Sequence, residues 1–151
     1  MALIVLDASV VIALLDPADA LHHAATNALI GHAGDDLKVP ASAYSECLVG
    51  HARRGRVQAA KSAVASLLVD VVPITDRIAE DAAELRARHP KLRLPDALVV
   101  ATGAALGADR VLTGDTAWRR LGKTIEVLQQ QVPHPPARAP VHGPATHGHH
   151  Y

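Results

Sequence analysis

Aromatic residues are nearly missing from this chain. It holds no phenylalanine, and Tyr44, Trp118 and Tyr151 are the only rings of that kind in 151 residues. That scarcity excludes a surface that reads nucleobases by stacking them on aromatic side chains. Cys47 is the sole cysteine, which excludes an intrachain disulfide and a cysteine-based zinc site. Net charge is absent too, because fifteen Lys and Arg balance fifteen Asp and Glu. Binding of long nucleic acid by bulk charge is therefore disfavoured, and a small polar site on a neutral scaffold stays open. No apolar run approaches the roughly 18 residues of a membrane span. The first residues, Met1 to Asp7, carry no basic region, and Asp7 cuts their apolar run short, unlike a secretory signal. The expectation is a reduced, cytoplasmic setting. Plentiful instead are Ala, Leu and Val, within 49% apolar residues. At this length they suffice for one domain with a core that needs no staples.

The chain divides into two parts. Residues 1–131 read as the folded domain. Val132 to Tyr151 hold five of the ten prolines and five of the ten histidines, with Arg138 as their one strong charge. Lacking apolar periodicity, they read as a disordered tail. In the folded part, Leu3–Leu6 is a strand apolar on both faces, which belongs mid-sheet. Helices follow over Ala8–Leu15, ended at Asp16-Pro17, and Asp19–His32. Leu37–Val39 is a strand, and Ser42–Arg54 and Val57–Leu68 are helices separated by Gly55. Val69–Ile74 is a strand, and Thr75 opens a helix to His89. Pro95–Leu106 is a helix with Pro at its first position, ended by Gly107. Arg110–Thr113 is a strand, Ala117–Leu121 a helical turn, and Ile125–Leu128 a last strand. Strands alternating with helices predict an α/β fold with a central parallel sheet and helices on both faces. Ligands of such sheets bind beyond the carboxyl ends of the strands.

Acids stand where that rule points. Asp7 follows the first strand directly, and Asp115 follows Arg110–Thr113 after one glycine. Asp96 sits in the first turn of an almost wholly apolar helix, at the positive end of its dipole. Glu46 lies between Tyr44, Cys47 and Leu48. Taken singly, each acid also has a plain structural use. Asp7 can cap the helix after it, Asp115 can be a turn residue or cap, Asp96 a first-turn acid, and Glu46 a solvated surface residue. Basic residues adjoin them in sequence. His51, Arg53, Arg54 and Arg56 follow Glu46; Arg86, Arg88, Lys91 and Arg93 precede Asp96; Arg119, Arg120 and Lys123 follow Asp115. An acidic pocket with a basic rim suits a phosphodiester substrate, since the rim holds flanking phosphates. Arg53, Arg54, Arg56, Arg93 and Arg119 are the candidate rim contacts. Cys47 reads as a small core residue rather than a nucleophile, and His22, His23, His32, His51 and His89 as helix or loop surface.

Four motifs in order carry a resemblance: Asp7-Ala8-Ser9 after the first strand, Pro40 six residues before Glu46, Leu94-Pro95-Asp96-Ala97 opening an Ala-rich helix, and Leu112-Thr113-Gly114-Asp115 followed by Trp118. Together they resemble the PIN domain, most closely the VapC-type toxins of bacterial toxin–antitoxin pairs. The resemblance covers nearly all of residues 1–131. It implies a PIN-like three-layer fold and a metal pocket formed by Asp7, Glu46, Asp96 and Asp115. Ser9 and Thr113 match hydroxyls that help order water at the metal. It also implies a metal-dependent endoribonuclease acting on RNA, a homodimer, and a VapB-like antitoxin that reaches the pocket with a basic side chain.

The chemistry of the residues runs parallel to this. Clustered carboxylates raise one another's pKa unless a divalent cation lies between them. All-oxygen ligands favour Mg²⁺, with Mn²⁺ able to substitute. Asp7 and Asp96 are assigned to direct ligation, with Glu46 and Asp115 completing the shell or positioning water. Without metal, repulsion among four acids predicts that Asp96→Asn raises the melting temperature. Three other readings compete. A phosphoacceptor receiver domain needs paired acids early, and Asp7 has no acidic neighbour. A haloacid-dehalogenase-type phosphatase needs a second aspartate where Ser9 stands. A PIN-fold binding scaffold without activity typically has lost an acid, whereas this chain keeps all four.

Overall fold

The computed structural model describes residues 1–130. The segment Val132–Tyr151, and the domain boundary drawn before it, lie outside the described residues. Five strands form one sheet: β1 (Leu3–Leu6), β2 (Asp36–Pro40), β3 (Val69–Val72), β4 (Arg110–Thr113) and β5 (Ile125–Val127). The helices are α1 (Ala8–Leu15), α2 (His22–Gly31), α3 (Ala41–Arg53), α4 (Val57–Ser66), α5 (Asp76–Arg88) and α6 (Leu94–Leu106), with a 3₁₀ helix over Thr116–Leu121. All strand pairs are parallel, in the order β3-β2-β1-β4-β5.

The order follows from what each strand can bury. Ile4, Val5 and Leu6 are each at most 2% exposed. Side chains alternate faces along a strand, so both faces of β1 are covered and β1 takes the centre. β3 buries only its first residue, Val69, fully, and takes an edge. The chain steps outward from β1 through β2 to β3, returns to pair β4 with β1, and ends on β5. The direction of winding therefore reverses between β1 and β4. In open parallel sheets, ligands bind beyond the carboxyl ends of the strands at such a reversal.

The main core joins the sheet to α1, α3 and Trp118. A second cluster of Ile78, Ala82, Leu92, Ala97 and Ala101 locks α5 onto α6. Asp96 thus starts a helix anchored on two sides. Thr75 caps α5 by accepting from the Ile78 amide, as its sequence predicts. Gly107, at φ 62°, ends α6 in the left-handed region open to glycine.

Several predicted boundaries move, for local reasons. The second helix begins at His22, not Asp19, because Asp19 Oδ1 accepts the Leu21 amide at 2.8 Å and holds a turn there. The third strand stops at Val72 rather than Ile74, since Pro73 has no amide to continue the ladder. The sixth helix starts at Leu94 with Arg93 as its cap residue, so Pro95 takes the second helical position rather than the first. The last strand closes at Val127, although the Leu128 amide still donates to the Thr113 carbonyl at 2.8 Å.

Candidate active site

Asp7 follows β1 at the reversal between β1 and β4 and is buried, at 7% exposure. Its amide still belongs to the sheet, donating to the Leu112 carbonyl at 2.9 Å. Its side chain has left it. Oδ1 accepts the Ala8 amide at 2.8 Å, starting α1. Oδ2 accepts from Ser9 Oγ at 2.8 Å and from Thr113 Oγ1 at 2.9 Å. Each hydroxyl in turn accepts an amide of the loop after β4: Ser9 Oγ from Gly114 at 3.0 Å, and Thr113 Oγ1 from Asp115 at 3.1 Å. Two hydroxyls thereby tie the ends of β1 and β4 together through one carboxylate. Here both hydroxyls orient Asp7 itself. A Cβ at position 114 would lie 2.7 Å from Leu21 Cδ2, so any larger residue there requires the Leu21 side chain to move.

Asp96 is 9% exposed, in the first turn of α6. Arg93 grips it from outside, Nε to Oδ2 at 3.2 Å and Nη2 to Oδ1 at 3.3 Å. Glu46 projects from α3 and is exposed. It lines a cavity of about 380 Å³ with Ile12, Cys47, His51 and Arg54. The electrostatics join these acids. Burial foremost pushes the Asp7 carboxyl above its ordinary range, against its hydrogen bonds, with the Asp96 charge adding to the rise. Partial desolvation of its carboxyl, then the Asp7 charge, then that of Asp96, push Glu46 upward, and Arg93 pulls it down. Cys47 is buried beside the Ala8 carbonyl, and its thiol is pushed up to about 12, which removes it as a nucleophile.

Asp115 is placed differently. It is exposed, and its Oδ1 accepts the Ala117 amide at 2.9 Å to cap the 3₁₀ helix. It shares a small cavity of about 50 Å³ with Asp96 and Trp118, and a larger one of about 600 Å³ with Ser9, Leu21 and Gly114. The structure thus sets Asp7, Glu46 and Asp96 within electrostatic reach of one another and leaves Asp115 on the rim. Among the described residues, no group of three His, Cys, Asp or Glu is drawn close enough to grip an ion. The reason is visible: Asp7 turns to its hydroxyls, Asp96 to Arg93, and Asp115 to the helix it caps. The donor set nevertheless fits a divalent cation. It is all oxygen, and the Asp96 charge adds to the rise of both the Asp7 and the Glu46 carboxyls.

The basic residues separate as well. Arg54 shares the Glu46 cavity, while Arg53, Arg56 and Arg119 are exposed. The Arg93–Asp96 pair was not anticipated from the sequence, although a three-residue spacing at a helix start is a readable signal for it.

A family model described as the PIN domain matches residues 4–124. The chain belongs to the PIN-domain family. Solved structures share the fold. VapC20 of Mycobacterium tuberculosis, described as a sarcin–ricin loop cleaving toxin, is 26% identical with a TM-score of 0.68, over 83% of this chain and 99% of that one. VapBC2 from Rickettsia felis, bound to a DNA fragment from its promoter, matches at 13% identity and a TM-score of 0.69, over 84% and 99%. A toxin–antitoxin complex from Klebsiella pneumoniae matches at 20% identity and 0.65, over 82% and 95%. Among curated proteins, none matches.

Proposed function

We propose that this PIN-domain chain is a metal-dependent endoribonuclease, a VapC-type toxin held silent by a VapB-like antitoxin. The observation that carries the reading is Asp7: a buried carboxylate fixed at the β1–β4 reversal by two hydroxyls, with Asp96 and Glu46 close enough to raise its pKa or share the rise. Asp7 and Asp96 would hold a Mg²⁺ or Mn²⁺ ion, with Glu46 and Asp115 at the margin of the shell. Such an ion supplies Lewis acidity for phosphodiester hydrolysis and neutralises the clustered charge. Ser9 and Thr113 hold Asp7 in one orientation at the end of β1. Glu46, exposed and with a raised pKa, is the acid placed to orient the attacking water and accept its proton. Arg54, beside Glu46, stands where a flanking phosphate would lie, and Arg53, Arg56 and Arg119 extend that rim. The expected products are a 5′-phosphate and a 3′-hydroxyl.

The structural relatives solved as toxin–antitoxin complexes support an antitoxin partner, and the family resemblance supports a homodimer and a cytoplasmic setting. No described helix is long and apolar enough to cross a membrane. Incubation of total RNA with the wild type in Mg²⁺ and in EDTA tests the reading. Cleavage in Mg²⁺ alone, lost in Asp7→Asn, is the expected result. Full cleavage in EDTA, or in the variant, would overturn it. A PIN-fold scaffold without activity would leave the RNA intact in every lane.

A further inference from the structure

Arg93 holds both oxygens of an acid that the proposed function needs free. Its guanidinium reaches Asp96 with two nitrogens, one to each carboxylate oxygen, at 3.2 and 3.3 Å. Asp96 contributes a side chain only 12% exposed, whereas that of Arg93 is 72% exposed. The cation therefore lies on the solvent side of a nearly buried acid. No other Lys or Arg among the described residues forms an ion pair with Asp7, Glu46 or Asp96. The Arg93 charge also reaches Glu46 and Asp7, though more weakly than Asp96.

We propose that Arg93 is a built-in counter-cation of the acid cluster, which a divalent ion must displace from Asp96 in order to bind. The inference rests on the metal reading given above. Its physical basis is competition for one carboxylate. A forked guanidinium leaves neither Asp96 oxygen without a donor. A cation of charge +2 beside it would be repelled by the guanidinium while competing for the same oxygens. The exchange is feasible because the pair is open to water on the arginine side, and such exposed pairs are weak. No backbone change is needed, since Arg93 swings out from the cap position of α6. Once released, it stays tethered three residues from Asp96, at the mouth of the crevice. A guanidinium there can take a phosphate of the incoming strand, having given up the carboxylate. One side chain would thus hold the metal-free site together and later meet the substrate.

Calorimetric titration of Mn²⁺, without RNA, tests this on the whole chain. Arg93→Gln is expected to bind Mn²⁺ about three- to tenfold more tightly than the wild type. Arg93→Lys, which keeps the charge but loses the fork, should fall between them. Arg77→Gln removes an equal charge from α5, where Arg77 pairs with Asp81, and should leave the affinity unchanged. Melts in EDTA should show Arg93→Gln below the wild type, with the gap closing in saturating Mn²⁺. If the wild type binds Mn²⁺ and Arg93→Gln binds it equally or more weakly, the counter-cation role is overturned and the metal site stands. If the tightening also appears in Arg77→Gln, net charge is the cause and the specific role of Arg93 is overturned. If the wild type binds no Mn²⁺, the metal reading itself fails and takes this inference with it.

Discussion

Acids gather at both ends of the sheet, and the two ends treat them in opposite ways. At the amino end, Asp35 accepts from the Ala2 amide at 3.0 Å and meets His32 Nδ1 at 2.9 Å. Asp109 accepts from the Leu3 amide at 2.8 Å, and Asp36 pairs with Lys38 at 3.1 Å. Each carboxylate has a donor, and the His32 contact, then the Ala2 amide, hold Asp35 below its ordinary pKa of 3.8. At the carboxyl end, Asp7 and Glu46 are pushed the other way by burial and by neighbouring acids. The same residue type clamps the start of β1 at one end and strains electrostatically at the other. Perturbed acids in a crevice at a chain reversal are where chemistry is expected. The acids at the opposite end are accounted for by the fold alone.

The largest break in this comparison should appear in catalysis. Asp7→Asn and Asp96→Asn are each expected to lower RNA cleavage by at least about a hundredfold, while Asp35→Asn keeps it, read from gels at matched protein concentration. Next in size is the response to metal. Mn²⁺ at 100 times its Kd should stabilise the wild type by about 2.7 kcal/mol. That corresponds to a melting temperature higher by roughly 8–12 °C for a domain of this size. Asp35→Asn should show the same shift, and Asp7→Asn little of it.

A subtler contrast lies in pH dependence without metal. Asp7 has a raised folded-state pKa, so its contribution to stability falls as pH rises from about its ordinary 3.8 through the higher folded value. Asp35 has a lowered one, so its contribution is present above 3.8 and is lost as pH falls through the lower folded value. Melts across pH 3 to 7 should therefore show Asp7→Asn gaining on the wild type as pH rises. Asp35→Asn should lose its deficit only at the acid end. The smallest effect belongs to residues past the sheet. The described core closes with Leu128. Deleting Val132–Tyr151 is expected to shift the melting temperature by no more than about 1 °C and to leave cleavage intact.

Much of the scaffold is legible in local pattern. Leu3-Ile4-Val5-Leu6 reads as a central strand because four apolar residues in a row bury on two faces. The Pro95–Leu106 run reads as a buried helix with a rim acid because only Asp96 interrupts its first turns. The strand order is not local, since nothing in Arg110–Thr113 says that it returns to β1. The family resemblance and the rule for parallel sheets supplied that neighbourhood. The ends of elements shifted where side chains compete with the backbone, as Asp19 does before α2, or where proline stops a ladder, as Pro73 does after β3. At the site, Asp7 and its two hydroxyls were foreseeable in position but not in partnership. Ser9 lies only two residues from Asp7, but the Thr113 contact spans 106 residues of chain. Asp115 followed its plainer reading as a cap, since Thr-Gly-Asp-Thr favours a turn wherever it stands. Repulsion alone predicted that Asp96→Asn stabilises the metal-free protein. Arg93 supplies the counter-charge that argument lacked, so the gain should shrink to within about 0.5 kcal/mol.

The central claim is that the carboxyl-end acids form a cation site and the amino-end acids do not. Calorimetric titration of Mn²⁺ into the wild type, Asp7→Asn and Asp35→Asn tests it without any RNA substrate. Equal binding by the wild type and Asp35→Asn, with Asp7→Asn weaker by about tenfold or more, is the predicted result. Equal affinity in all three proteins, or no binding by the wild type, would contradict the account.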